Sequence, residues 1–238
     1  MYNLDNKVII ITGGSKGIGR VTALKLAKQN AKLVLASRKM ADLEKVKEEL
    51  QVTDDRILLI EADVSDENDC SKIVNQTVAK FGRVDVLINN AAQFNRSKVI
   101  DLDLIDFDRV WKTNVRGVIA MTQRVLPFMI EQDEGTILNI SSTSGKRGYV
   151  TGAAYAASKF ALNGFTECLL REVRENNIRV LTISPSMVDT RVKNESEQKQ
   201  SGKGVYMRAE DVADSIVLCL SLPQRALIKD LEIWGTNP

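Results

Sequence analysis

The chain of 238 residues has no histidine. The commonest acid–base side chain and metal ligand is therefore missing, and proton transfer near neutral pH falls to other groups. Cysteine is scarce too. Cys70, Cys168 and Cys219 lie far apart and form no C-x-x-C pair, so no zinc or iron–sulfur ligand set is expected. They read as small buried hydrophobes in a reducing compartment. Charge of one sign is not in excess: 33 Lys and Arg face 31 Asp and Glu, for a net charge of +2. That excludes an electrostatic case for nucleic acid or an anionic membrane. Long apolar runs are missing as well. The opening M-Y-N-L-D-N-K-V-I-I-I-T-G-G lacks a basic leader, and its apolar run is too short to span a bilayer. The expectation is a cytoplasmic protein with no nucleic-acid and no membrane partner.

What is present suits a packed α/β protein. The composition is 44% hydrophobic and 27% charged. Short apolar runs at 8–11, 33–36, 57–60, 84–88, 136–140, 180–183 and 227–233 alternate with helical patterns near 17–29, 40–50, 66–80, 103–131, 153–175 and 208–221. Near-continuous apolar strands are what a parallel sheet covered on both faces requires. The alternation implies right-handed βαβ units. The fold class expected is α/β, a Rossmann-type doubly wound parallel sheet of about seven strands with helices on both faces. One domain over 1–238 is expected, since no repeat, linker or low-complexity tract divides it. Residues 191–204, R-V-K-N-E-S-E-Q-K-Q-S-G-K-G, break the rhythm. So polar a stretch inside a compact domain suggests a substrate lid at about 187–207.

The stretch V-I-I-I-T-G-G-S-K-G-I-G-R runs from the first strand into the first helix. Gly13, Gly17 and Gly19 let the backbone turn and approach a ligand closely. The helix opening at Gly17–Ile18 would aim its N–H groups at a pyrophosphate. A dinucleotide is the ligand such a placement implies. The second strand ends in Ser37, Arg38 and Lys39, with no acid to hold an unphosphorylated ribose. Lys16 adds a cation from the glycine loop. The pattern favours the 2′-phosphate of NADPH. Further on, A-A-Y-A-A-S-K at 153–159 places Tyr155 and Lys159 four apart, on one helical face.

Several motifs together make the chain resemble the short-chain dehydrogenase/reductase family over nearly its whole length. They are T-G-G-S-K-G-I-G at 12–19, Asp63-Val64, N-N-A-A at 89–92, Asn114 in K-T-N-V-R-G, Ser142 in N-I-S-S, Y-A-A-S-K, and S-P-S-M-V-D-T at 184–190. Ala92 and Ser186 stand where the family usually has glycine. The resemblance implies a catalytic set of Asn114, Ser142, Tyr155 and Lys159. It implies NADP(H) contacts from Gly13, Ser15, Lys16, Gly17, Ile18, Gly19, Ser37, Arg38, Asp63, Val64, Asn90, Ala91, Tyr155, Lys159, Pro185, Val188 and Thr190.

On this reading Tyr155 gives its proton to a carbonyl oxygen as NADPH delivers hydride, and Ser142 hydrogen-bonds the same oxygen. Lys159 binds the nicotinamide ribose and its ammonium pulls the phenol below its ordinary pKa of about 10. Asn114 supports a water relay through that lysine. The expected substrate is a small carbonyl or acyl thioester, with a lean toward 3-oxoacyl thioesters and an acyl carrier protein as partner. Small hydroxy acids are the alternative, because the ending A-L-I-K-D-L-E-I-W-G-T-N-P lacks a D-G-G-type terminus. A catalytically silent NADPH-binding regulator would need a broken Ser–Tyr–Lys set, and this set is intact. A basic rim of Arg96, Lys98, Lys146 and Arg147 suits an anionic substrate. The resemblance also implies a homo-oligomer, a tetramer or dimer, built on the helices near 103–131 and 153–175.

Overall fold

Val-Ile-Ile-Ile-Thr at Val8–Thr12 (β1) is buried along its whole length, with no alternation of exposed residues. Its side chains still alternate by face. Ile9 and Ile11 enter one core, Val8 and Ile10 the other. A strand covered on both sides needs this continuous apolar character. The computed structural model describes residues 3–190 and 206–236.

After β1 come α1 (Gly17–Ala27), β2 (Lys32–Ser37), α2 (Met40–Leu50), β3 (Ile57–Glu61), α3 (Glu67–Phe81) and β4 (Val86–Asn89). The chain continues through α4 (Leu104–Trp111), α5 (Gly117–Glu131), β5 (Gly135–Ile140), α6 (Ala153–Glu172) and β6 (Ile178–Pro185). Two short strands, β7 (Val188–Asp189) and β8 (Met207–Arg208), precede α7 (Ala209–Leu220) and β9 (Asp230–Ile233). The main sheet has seven strands in the order β3-β2-β1-β4-β5-β6-β9. Every pairing in it is parallel. The expected doubly wound sheet is therefore present.

Helices α1, α2 and α7 cover one face through residues such as Leu26, Leu43 and Ile216. Helices α3, α5 and α6 cover the other through Ile73, Met121 and Leu169. Strand order reverses between β1 and β4, so the crevice for a ligand opens at their carboxyl ends. The expected helix at 103–131 is interrupted. Lys112–Arg116 forms a π-turn between α4 and α5, with Asn114 buried inside it. Such bulges re-aim a side chain by inserting one residue into the turn. Of the apolar residues expected on this helix, Val110, Val118, Met121 and Val125 are buried within the chain. Leu104, Ile105 and Phe160 remain exposed.

Cys70 and Cys219 are buried as expected, whereas Cys168 is exposed on α6 and behaves as a surface residue. The lid expected at about 187–207 falls largely on residues 191–205, which lie outside the described residues. Among the described residues no helix is long and apolar enough to cross a membrane.

A polar chain runs through the packed interior. Asn89 donates to Asn139 at 2.9 Å, and Asn139 donates to the hydroxyl of Thr166 at 2.8 Å. It ties β4 to β5 and β5 to α6. Each group is satisfied, so its desolvation is offset. Asn139→Ala should lower stability by about 1–3 kcal/mol in urea unfolding, because partners on β4 and α6 lose their bonds. An unchanged midpoint would show that the chain adds nothing.

Candidate active site

The nucleotide end is set by close backbone approach. Gly17 has φ +54°, the left-handed region that favours glycine. A Cβ on Gly19 would run into the carbonyl oxygen of Gly13 and sit 2.6 Å from Asn90 Nδ2. Asn90 holds this turn from β4, donating to the carbonyls of Thr12 at 2.9 Å and Gly13 at 3.1 Å. The amides of Asn90 and Ala91 both donate to the Thr12 hydroxyl. Helix α1 then starts without a side-chain cap and without an acid in its first turn. Its N–H groups are thus left for an anion.

Thr190 lies against Gly17, with its Cβ 3.1 Å from where a Gly17 Cβ would stand. Ser15 and Lys16 form the turn, and Ile18 packs inward. Lys16, Arg38 and Lys39 are exposed. None has a carboxylate within ion-pair distance among the described residues. Ser37 Oγ donates to the carbonyl of Lys39 at 3.4 Å. Glu61, which ends β3 opposite Ser37, accepts from the Met40 amide at 2.8 Å. Asp63 is held in a turn, accepting from the Ser65 amide and hydroxyl. Val64 is buried where its carbonyl meets Gly117. An uncapped helix behind a glycine cradle, flanked by unpartnered cations, fits a dinucleotide carrying a 2′-phosphate.

The four candidate catalytic residues come from three places: the end of β5, the turn at Lys112–Arg116 and the start of α6. Ser142 follows β5. Its hydroxyl accepts from the Ser144 amide at 3.1 Å and reaches the Pro185 carbonyl at 3.5 Å. Tyr155 and Lys159 lie on the first turns of α6, with the amine 5.6 Å from the Tyr155 ring centre. Lys159 is 2% exposed and donates to the Ile140 carbonyl at 2.8 Å. That is its one hydrogen bond to the described residues, and an ammonium has three donors. The two that remain fit ribose hydroxyls.

Asn114, 1% exposed, is fully engaged. It accepts from the Gln93 amide at 2.7 Å and donates to the Gln93 carbonyl at 2.9 Å and to Ser158 Oγ at 3.0 Å. Ser158 in turn donates to the Tyr155 carbonyl at 2.7 Å. Val188 pairs with Met207 across the two short strands.

One electrostatic expectation needs correcting. Tyr155 is only partly shielded from solvent. Its phenol is nevertheless pushed up to about 12 by burial, partly offset by hydrogen bonding with Ser142 and reinforced slightly by Tyr149. The ammonium does not pull it down. Burial has drawn Lys159 itself down to about 8, and its amine donates to the Ile140 carbonyl at 2.8 Å. At neutral pH the pair is thus a neutral acid beside a cation. Both shifts oppose charge in the fold. Lys159 disfavours the folded state most below pH 8, an effect that fades toward its ordinary 10.5. The Tyr155 shift favours folding up to pH 10, and that stability is lost as pH climbs through 12.

Three residues that sequence reading did not name singly complete the cleft. Phe94 packs edge-on against Tyr155, with ring centres 4.7 Å apart. Tyr149 lies against Gly152, where a Cβ would strike its ring. Ser158 links Asn114 to the Tyr155 backbone. Its place inside Y-A-A-S-K was the one signal for it, while Phe94 and Tyr149 fall in the stretches 93–99 and 144–152 that sequence reading expects to wall the substrate, without naming either residue. Ala92 and Ser186, which stand where the family usually has glycine, keep ordinary negative-φ backbones.

A parallel doubly wound sheet with a glycine cradle and a Ser–Tyr–Lys cluster at its carboxyl edge defines a Rossmann-type dinucleotide protein. The family model for short chain dehydrogenase matches residues 7–201, and the chain belongs to that family. It is 36% identical to an NADP-dependent 3-hydroxy acid dehydrogenase of Schizosaccharomyces pombe, over 100% of this chain and 95% of that protein. Among solved structures, levodione reductase superposes with TM-score 0.88 at 30% identity, covering 98% of this chain and 97% of that one. Serine dehydrogenase complexed with NADP+ superposes with TM-score 0.87 at 26% identity, covering 97% and 96%.

If the cradle holds a dinucleotide, Gly19→Ala should weaken NADPH binding roughly ten- to a hundredfold, because a methyl there displaces the Gly13 backbone. Fluorescence titration of bound NADPH reads this directly. An unaltered affinity would place the nucleotide elsewhere.

Proposed function

We propose that the protein is an NADP(H)-dependent oxidoreductase that interconverts a small hydroxy acid and its oxo acid. The observation that carries this is Tyr155: a desolvated, neutral phenol hydrogen-bonded to Ser142, with a buried cation beneath it. A bound NADPH supplies the hydride. Ser142 holds the carbonyl oxygen of the substrate and stabilises charge developing on it. The Tyr155 hydroxyl gives that oxygen its proton, and the adjacent ammonium of Lys159 offsets the charge left on the phenolate. In the oxidative direction Tyr155 takes the proton back. Gln93, gripped by Asn114, anchors the loop beneath Phe94, while Asn114 and Ser158 fix the first turn of α6.

The sequence leaned toward 3-oxoacyl thioesters presented by an acyl carrier protein. Small hydroxy acids have the better support: one relative is named for 3-hydroxy acids and one structural neighbour for serine. Exposed Leu104, Ile105 and Phe160 on α4 and α6 support the homo-oligomer that the resemblance implies.

NADPH oxidation with acetoacetate and with acetoacetyl-CoA, side by side, tests the proposal. Acetoacetate should be reduced, and Tyr155→Phe should lose about 10²–10⁴-fold in rate while binding NADPH normally. A variant that keeps most of its turnover would overturn the mechanism. The pH profile is a second check. Lys159 loses its charge above about pH 8, whereas Tyr155 stays protonated to about 12. Reductive kcat/KM should therefore be flat below pH 8 and fall above it. Lys159→Met should lower the rate and remove that limb; a limb that persists in the variant belongs to another group.

A further inference from the structure

Four cations rim the cleft, and the structure separates them. Lys146 is committed to β9, pairing with Asp230 at 2.6 Å and Glu232 at 3.0 Å. Arg147 stacks on Trp234, 5.3 Å from the ring centre, and its charge is felt by Glu232. Lys98 is exposed at the head of the turn leading to α4. Arg96 differs from all three. Its guanidinium carbon is 5.4 Å from the centre of the Phe94 ring, and that ring is packed edge-on against Tyr155. Its charge also reaches the phenol of Tyr149, which in turn acts on Tyr155. The guanidinium therefore stands two ring contacts from the proton donor.

Arg96 has no carboxylate within ion-pair distance among the described residues. Asp106, on α4, is held by Arg109 at 2.7 Å and by Asn95 at 3.4 Å. The loop carrying Arg96 is pinned at both ends. Asn114 grips Gln93 through two hydrogen bonds. The Ser97 amide donates to the Thr151 carbonyl at 3.0 Å, and Ser97 bridges Gly152, just ahead of α6. Thr151 sits at φ +69°, a strained conformation for a β-branched residue, and this clamp helps hold it. An exposed cation on a loop pinned at both ends, two ring contacts from the proton donor and with no ion-pair partner among the described residues, suits an anionic part of the substrate.

We propose that Arg96 binds the substrate's carboxylate and so makes the enzyme select free oxo acids over neutral carbonyls and thioesters. A guanidinium fork matches a carboxylate in two parallel hydrogen bonds. Phe94 supports its flat face and sets the distance from acid group to reacting carbon. This proposal rests on the hydroxy-acid reading above.

The test compares NADPH-dependent reduction of acetoacetate and methyl acetoacetate by wild type, Arg96→Met, Arg96→Lys and the control Arg147→Met. Wild type should prefer the acid by about tenfold or more. Arg96→Met should raise KM for acetoacetate roughly ten- to a hundredfold. Its kinetics on the methyl ester should stay near wild type, which also shows that the variant is folded. Arg96→Lys should recover part of the loss, and Arg147→Met should behave as wild type. Equal losses on acid and ester, or no loss on either, would overturn the role of Arg96. If wild type reduces the ester, or acetoacetyl-CoA, better than the acid, carboxylate selection is refuted while the NADPH-dependent reductase stands. If wild type reduces none of them, the hydroxy-acid reading falls and this inference with it.

Discussion

The 2.8 Å hydrogen bond from Lys159 to the Ile140 carbonyl is the constraint on which the site depends. An amine that is 2% exposed carries a large desolvation penalty. Its pKa falls to about 8, which corresponds to a penalty on the order of 3 kcal/mol against the charged form. One carbonyl, the last of β5, helps keep it in place. Because β5 stops at Ile140, that carbonyl faces α6 and not a ladder partner. Ser141 and Ser142 then follow directly at the strand end. Ser141 donates to Asn163 at 2.7 Å, and Asn163 donates to Gly145 at 3.1 Å, so α6 is bound to the same corner. The strand end thus fixes Ser142, Lys159 and, one helical turn before Lys159, Tyr155.

The sheet makes this corner stiff. Each central strand divides its side chains between two apolar layers, and the carboxyl ends are left for polar work. Thr12, Asn90, Ser141 and Ser142 all sit on that edge. A conformational change at one of them would have to move a strand held on both faces. The loops that carry Phe94, Arg96 and Tyr149 are less confined, and in the proposed chemistry they decide what is reduced, while the strand ends decide how.

Much of this was legible because the periodicities are plain. Continuous apolar runs such as V-I-I-I at 8–11 could only be doubly covered strands, and six of the seven expected strands match within two residues. The seventh was drawn too early: residues 227–229 precede β9, which begins at Asp230. The interruption at Lys112–Arg116 was illegible, since a π-turn leaves the apolar period of its flanks almost unchanged. The glycines and the Tyr155–Lys159 pair could be read from spacing, and Asn114 and Ser142 from the family resemblance. The electrostatics of the site could not, because the sign of the Tyr155 shift depends on how much protein surrounds the phenol and where Lys159 points. Nor could the fates of four similar rim cations, which differ in the acids and aromatic rings that tertiary packing brings to them.

The account stands on Tyr155 being a neutral acid beside a charged lysine before any ligand arrives. An ultraviolet difference titration of the ligand-free protein, wild type against Tyr155→Phe, measures this. Tyr155 should contribute no phenolate signal through pH 10 and should ionise only near 12. A phenolate assigned to Tyr155 at neutral pH would mean that Lys159 controls the phenol after all, and that burial does not.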